Sequence, residues 1–270
     1  MGEGMIRKAL TIAGSDSGGG AGIQADIKTF TAFGVYGMSA ITAITAQNTV
    51  GVQLVYDLPI EIVVEQIKSI AVDLRPDAVK TGMLSSPAIV NAVADSITRY
   101  NLPKVVVDPV MVAKSGDPLL SESARSTVKE RMLPIATVIT PNLFETEVLL
   151  GQKIKTLEDM KAAAAELKKS GCKWVVVKGG HMEGETEAID VAYDGNEFHL
   201  VKSPRFDTPH THGTGCTFSS AIAAGLAKGY APLQAIKTAK EYISAAIHSG
   251  LNIGKGRGPT NHLVGVKSRW

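Results

Sequence analysis

Short apolar runs alternate with longer segments in which apolar residues recur every three or four positions, and the alternation persists along most of the chain. Residues 9–13, 38–46, 77–80, 105–107, 135–139 and 174–177 read as strands, several of them without a polar face. Residues 23–33, 59–74, 87–100, 215–228 and 232–249 read as helices, and two more start at Leu143 and Leu157. In the second of these, Val63, Ile67, Ile70, Ala71 and Leu74 share one face, and Pro59 suits the first turn. Thr156 and Asp159 can cap the helix that starts at Leu157. Two antiparallel edge strands, 188–193 and 197–202, flank the turn Asp194-Gly195-Asn196. The glycine-rich stretch 15–22 reads as flexible. Alternating strand–helix units with short connections predict an α/β fold with one doubly wound, mostly parallel central sheet. No repeat, low-complexity tract or linker divides the chain. Residues 1–270 are therefore expected to form a single domain, with 1–8 an N-terminal extension and 264–270 a C-terminal tail.

Charge narrows the partners. Lys and Arg number 28 against 26 Asp and Glu, and that balance gives no electrostatic reason to expect nucleic acid or a membrane surface. No apolar run reaches membrane-spanning length, and the N-terminus carries no secretory pattern. Two cysteines, Cys172 and Cys216, cannot make a disulfide framework, so a reduced, cytoplasmic protein is expected.

In open α/β sheets, ligands bind beyond the carboxyl ends of the strands. The apolar runs end in Gly14-Ser15-Asp16, Gln47-Asn48, Lys80-Thr81-Gly82-Met83, Asp108-Pro109-Val110, Thr140-Pro141-Asn142 and Lys178-Gly179-Gly180. One such ending would be an ordinary turn, whereas six along the same sheet edge predict a pocket. The sharpest local signal is His210-Thr211-His212-Gly213-Thr214-Gly215-Cys216-Thr217, leading into an apolar helix. Gly213 and Gly215 let successive amides converge on an anion, and the helix N-terminus adds its positive dipole end. A glycine-rich helix start with threonine caps is the bland alternative. A thiol at that place favours the anion reading, because helix N-termini lower thiol pKa values. His210 and His212 read as solvated loop histidines. No Walker A, dinucleotide-fingerprint or zinc-ligand pattern is present.

Asn142 and Glu145 admit two readings. They can cap the helix from Leu143, or they can hold the water shell of Mg²⁺ on nucleotide phosphates. Lys178 favours the second, because a lysine at the end of a buried strand is costly unless it meets a negative group such as phosphate.

Taken together, these segments resemble the hydroxymethylpyrimidine/phosphomethylpyrimidine kinases of thiamine biosynthesis, members of the ribokinase-like superfamily. The resemblance rests on the ordered set of 9–26, Thr45-Ala46-Gln47-Asn48-Thr49, Lys80-Thr81-Gly82-Met83, Val107-Asp108-Pro109-Val110-Met111, Lys114-Ser115-Gly116-Asp117-Pro118-Leu119, Thr140-Pro141-Asn142 with Glu145, Lys178-Gly179-Gly180-His181, and His212-Gly213-Thr214-Gly215-Cys216. It implies a ribokinase-like sheet with helices on both faces and two successive phosphorylations by ATP with Mg²⁺. The acceptors would be an aminopyrimidine alcohol and then its monophosphate. By position, it implies that Gln47 reads the pyrimidine, with Gly14, Asp26, Met83 and Val110 lining that pocket. An amide suits a ring nitrogen beside its amino group, offering a donor and an acceptor. The resemblance assigns Asp108, Thr140, Asn142, Glu145, Lys178 and Thr214 to ATP, with Asp108 and Glu145 toward Mg²⁺ through water. It assigns Gly213, Thr214, Gly215, Cys216 and Lys178 to the transfer itself. Related sugar kinases carry an aspartate base where Cys216 stands, which makes Cys216 the expected general base. The partner is a small molecule, and a homodimer is the assembly to test. Three rival readings stay open: a pyridoxal or pyridoxine kinase, including dual specificity; a non-catalytic pyrimidine-binding protein; and a thiol hydrolase using Cys216.

Overall fold

Val105, Val106 and Val107 show why the strands lack a polar face. All three are buried, yet Val105 and Val107 join one apolar layer and Val106 the other. Side chains alternate across a strand, so a sheet covered by helices on both faces needs apolar residues at every position.

The computed structural model describes residues 5–111, 122–180 and 187–266. The chain runs through β1 (Lys8–Asp16), α1 (Gly22–Ala32), β2 (Tyr36–Gln47), β3 (Val52–Asp57), α2 (Ile60–Asp73), β4 (Ala78–Thr81), α3 (Pro87–Arg99) and β5 (Val105–Val107). After α4 (Glu122–Thr127) and a π-helical turn (Val128–Met132) come β6 (Val138–Ile139), α5 (Leu143–Leu150), α6 (Leu157–Lys168) and β7 (Trp174–Lys178). Strands β8 (Glu187–Tyr193) and β9 (Phe198–Pro204) precede α7 (Thr214–Ala227) and α8 (Pro232–His248). Among the described residues, nine strands form one sheet in the order β3-β2-β1-β4-β5-β6-β7-β8-β9. From β2 to β7 the pairing is parallel, and β3, β8 and β9 add antiparallel edges. Helices α2, α3, α4 and α6 supply the core on one face, and α1, α7 and α8 supply it on the other. The strand order reverses beside β1, which places a crevice at the carboxyl ends of β1 and β4. No helix among the described residues is long and apolar enough to cross a membrane.

Several elements differ from the sequence expectation. β1 continues through Ser15 and Asp16, so the stretch 15–22 is not a free loop. The Asp16 carboxylate accepts hydrogen bonds from the amides of Gly18, Gly20 and Ala21 and fastens the turn. β3 is absent from the sequence reading because nearly all of it is solvent-exposed, so it shows no alternation. The α4 helix and its π-helical extension are also unanticipated. β6 is shorter than 135–139, with two residues paired to its neighbours. Pro59 caps α2 rather than entering its first turn. The stretch 114–119, His181, residues 1–4 of the N-terminal extension and residues 267–270 of the tail lie outside the described residues.

Candidate active site

A cavity of about 620 Å³ opens at the carboxyl edge of the sheet, within the range of small-molecule sites. Gly14, Asp16, Gln47, Lys80, Met83, Asp108, Val110, Asn142 and Lys178 line it, so all six strand endings contribute. His212, Gly213, Thr214, Gly215 and Cys216 complete the wall.

The loop before α7 owes its depth to that helix. Every residue of α7 from Thr217 to Ala227 is buried, so the helix runs through the protein with its N-terminus facing the cavity. Gly213 has φ of +80°, and a Cβ there would lie 1.8 Å from the Gly20 carbonyl oxygen, so the turn requires glycine. Gly215 meets a different constraint. A Cβ at this position would lie 3.4 Å from Lys178 Nζ and 3.5 Å from Asp108 Oδ2. The helix start therefore spans the cavity from the β1 turn to the charged ends of β5 and β7. Thr214 lines the cavity, while its hydroxyl donates to the Thr211 carbonyl oxygen at 2.7 Å.

On the β5–β7 side, Asp108 is 1% exposed and accepts from Lys178 Nζ at 3.1 Å, Thr140 Oγ1 at 3.2 Å and Ser219 Oγ at 3.2 Å. Thr140 thus stands behind Asp108 and is not part of the cavity wall, correcting its expected place on the nucleotide. Asn142 and Glu145 form a capping box at α5, with the Asn142 amide donating to Glu145 Oε2 and the Glu145 amide to Asn142 Oδ1. Both also line the cavity, so a capping role does not take them out of its wall. Burial pushes the Glu145 carboxyl up to about 7; Lys178 opposes this and the Asp108 charge adds to it. Lys178 feels burial against its charge, but Asp108 and Glu145 hold it protonated, and its pKa rises.

The raised Glu145 pKa fixes a sign for stability. A carboxyl that holds its proton more tightly when folded contributes stability below about pH 4.5, lost as pH rises toward about 7. Glu145→Gln keeps an oxygen to cap Asn142 and removes the buried charge. It is therefore expected to melt at a higher temperature than the parent at pH 8, with the gap closing near pH 4.5. Equal melting temperatures at pH 8 would mean that the charge carries no penalty. The same two carboxylates suit a hard cation. Asp108 and Glu145 offer oxygen ligands whose crowding a divalent ion would relieve, as expected for Mg²⁺ bound chiefly by phosphate and water. No cluster of three or more His, Cys, Asp or Glu capable of holding a metal occurs among the described residues.

On the β1–β4 side, Ser17 Oγ bonds both the amide and the carbonyl of Gln47, and Thr45 Oγ1 donates to Gln47 Oε1 at 3.1 Å. Gly14 packs against Met83, whose carbonyl accepts from Thr42 Oγ1. Asp26 departs from expectation. It is fully buried beneath the wall, with its oxygens taken by Thr11 Oγ1, Lys80 Nζ and Ser220 Oγ at 2.5, 2.8 and 2.5 Å. It cannot line the pyrimidine pocket; it holds Lys80, which does line the cavity. His212 is likewise not a solvated loop histidine. Its Nε2 lies 2.8 Å from Asp16 Oδ2 and 3.5 Å from Gln47 Nε2, clamping the anion loop to β1. Sequence reading passed over Lys80, Asp16 and His212 as functional residues, although all three lie in quoted motifs. Phe144, Arg125 and Arg257, also on the wall, carried no motif signal.

The protonation of Cys216, which the sequence leaves open, is set by its surroundings. Burial pushes its thiol up to about 11, although Lys80 and the Gly22 amide pull it down. Desolvation outweighs the pull of Lys80 and the Gly22 amide, so the thiol is protonated at neutral pH.

Known proteins similar to this chain are numerous. The chain matches the family described as phosphomethylpyrimidine kinase over residues 16–261. It is 51% identical to the hydroxymethylpyrimidine/phosphomethylpyrimidine kinase of Bacillus subtilis, over 96% of each chain. Among solved structures, the phosphomethylpyrimidine kinase of Clostridium difficile superposes with a TM-score of 0.80 at 46% identity, covering 89% of this chain and 99% of that one. The ADP complex of a Bacillus subtilis pyridoxal kinase superposes at 0.90 with 44% identity, covering 96% and 98%. The fold is ribokinase-like. A family match across almost the whole described cavity, joined to identities near one half, decides membership: this chain belongs to the phosphomethylpyrimidine kinase family.

Proposed function

We propose that this protein phosphorylates 4-amino-5-hydroxymethyl-2-methylpyrimidine with ATP to the monophosphate and then to the diphosphate, in thiamine biosynthesis. One observation carries the reading: a single cavity joins an amide-bearing end at Gln47 to a charged end at Asp108, Glu145 and Lys178, with the α7 amides reaching across. In the first step the hydroxymethyl oxygen loses its proton and bonds the γ-phosphorus while the bond to ADP breaks. In the second, a phosphate oxygen of the monophosphate takes the same role. Gln47 orients the ring with its amide, and Gly14, Met83 and Val110 bound the space beside it. Lys178 and the amides at 213–216 meet negative charge on the moving phosphoryl group, the main requirement of such transfers. Mg²⁺ held by the nucleotide near Asp108 and Glu145 would neutralise phosphate charge. Cys216 receives the hydroxyl proton in its thiolate form, which the Lys80 charge, fixed by Asp26, favours.

Purified protein with ATP, Mg²⁺ and the pyrimidine alcohol, followed by mass spectrometry, tests the reading. Sequential monophosphate and diphosphate support it, and recovery of unchanged alcohol overturns it. The likeness to pyridoxal kinase favours a second activity, so pyridoxal belongs in the same assay as an alternative acceptor. Gln47→Ala is expected to weaken pyrimidine binding by roughly 1–3 kcal/mol, the cost of leaving a buried polar partner unpaired. ATP affinity should barely change, and calorimetric titration measures both. Unchanged pyrimidine affinity would remove Gln47 from the pocket. A homodimer belongs to the same reading, because β2 and β3 leave Ile44, Leu54 and Tyr56 exposed on one face of the sheet.

A further inference from the structure

Lys178 and Asp190 stand directly opposite each other on antiparallel β7 and β8. Opposed residues send their side chains to the same face of a sheet, with Cβ atoms about 4.5–5.5 Å apart. A bare Asp190 carboxylate would therefore stand within reach of the Lys178 ammonium and compete for it. The structure shows otherwise: Lys178 Nζ turns to Asp108 and the cavity.

Asp190 is occupied from the other side. Its Oδ2 accepts from Lys240 Nζ at 2.8 Å and its Oδ1 from the Gly179 amide at 3.0 Å. Asp190 and Lys240 are 4% and 6% exposed. Lys240 comes from α8, where its buried neighbours Ala235, Ile236, Ala239 and Ile243 belong to the apolar layer. A buried ion pair at such a place is weak support for stability, since apolar residues of similar volume often do as well. What they could not do is neutralise Asp190. We infer that Lys240 is a positioning residue: by claiming Asp190 it leaves the Lys178 ammonium to the cavity, while Asp190 in turn pins the Gly179 amide beyond the end of β7.

The inference rests on the proposed role of Lys178 toward ATP, and Lys178→Met tests that role in parallel. Lys240→Met removes the cation. Lys240→Gln also removes it but retains an amide donor for Asp190, and it carries the test if the methionine variant does not fold. Both folded variants are expected to lower kcat at saturating ATP about tenfold, as Lys178 is drawn to Asp190 and its contact with the moving phosphoryl group is lost. The pyrimidine KM should stay at the parental value. Adding Asp190→Asn to Lys240→Met removes the competing charge and leaves an oxygen for Gly179, so ATP kinetics should return to within about twofold of the parent. Parental ATP kinetics in the folded Lys240 variants, with at most a lower melting temperature, would reduce the pair to a structural one. Failure of the Asn/Met double variant to recover would also overturn the inference. If Lys178→Met itself used ATP normally, the reading of Lys178 would fall and this inference with it.

Discussion

Cys216→Ala is expected to lose ~10²–10⁴ in kcat for the first phosphorylation, the usual worth of a positioned proton acceptor, while both ligands still bind. The second phosphorylation should respond differently. Its acceptor is a phosphate monoester, largely ionised at neutral pH because its second pKa is about 6, so it needs no base. The variant should therefore retain the second step to within about tenfold, the amides at the start of α7 still meeting the transferring group. Separate assays with the alcohol and the monophosphate give the two rates. The thiol adds a pH signature. Burial pushes Cys216 up to about 11, so its ionised fraction grows as pH rises from 7 to 9. Parental kcat for the alcohol should climb across that range, and the Cys216→Ala rate should stay flat. Cys216→Asp places an already ionised acceptor there and should recover part of the rate with a flat profile. Near-parental turnover of the alcohol by Cys216→Ala would show that the loop amides suffice.

Lys178→Ala should remove about 10² or more from kcat in both steps, comparable to the loss of a preorganised donor at a developing anion. Both steps suffer because each moves the same phosphoryl group from ATP. Lys178 lies 3.1 Å from Asp108 Oδ1, and its charge also bears on Glu145. Its removal leaves two buried carboxylates facing each other, so the Glu145 carboxyl should hold its proton to higher pH and repel nucleotide when it finally ionises. The pyrimidine KM should change little, because Gln47 and Met83 lie at the other end of the cavity. Steady-state kinetics with each substrate varied separately distinguishes these effects. Full turnover at saturating ATP would return Lys178 to a structural role as the partner of Asp108.

Much of the architecture was legible in the chain because burial on two faces leaves a simple mark. Val105, Val106, Val107 and Val175, Val176, Val177 can be uninterrupted only where helices cover both sides of a sheet. The polar and glycine-rich endings of these runs then located the cavity wall, since every one of them reaches it. β3 left no such mark, being an exposed edge strand whose pairing with β2 is a matter of backbone rather than side chains.

The sequence by itself determined the buried parallel strands, the polar endings that reach the cavity and the glycine turn into α7, because each depends on local periodicity or on a conformation that few residues adopt. Only the tertiary structure decided which charges meet. Asp26 reads like a pocket residue in its motif, but the packing of α1 against β1 and α7 seals it beneath the wall and gives it to Lys80. His212 reads as a loop histidine until Asp16, 196 residues earlier, is seen 2.8 Å from its ring. The Cys216 thiol is pushed up by burial and pulled down by Lys80 and the Gly22 amide, and burial is the larger effect. Charge pairing and desolvation depend on distances between residues far apart in the chain, and those distances exist only once the sheet has brought its strand ends together.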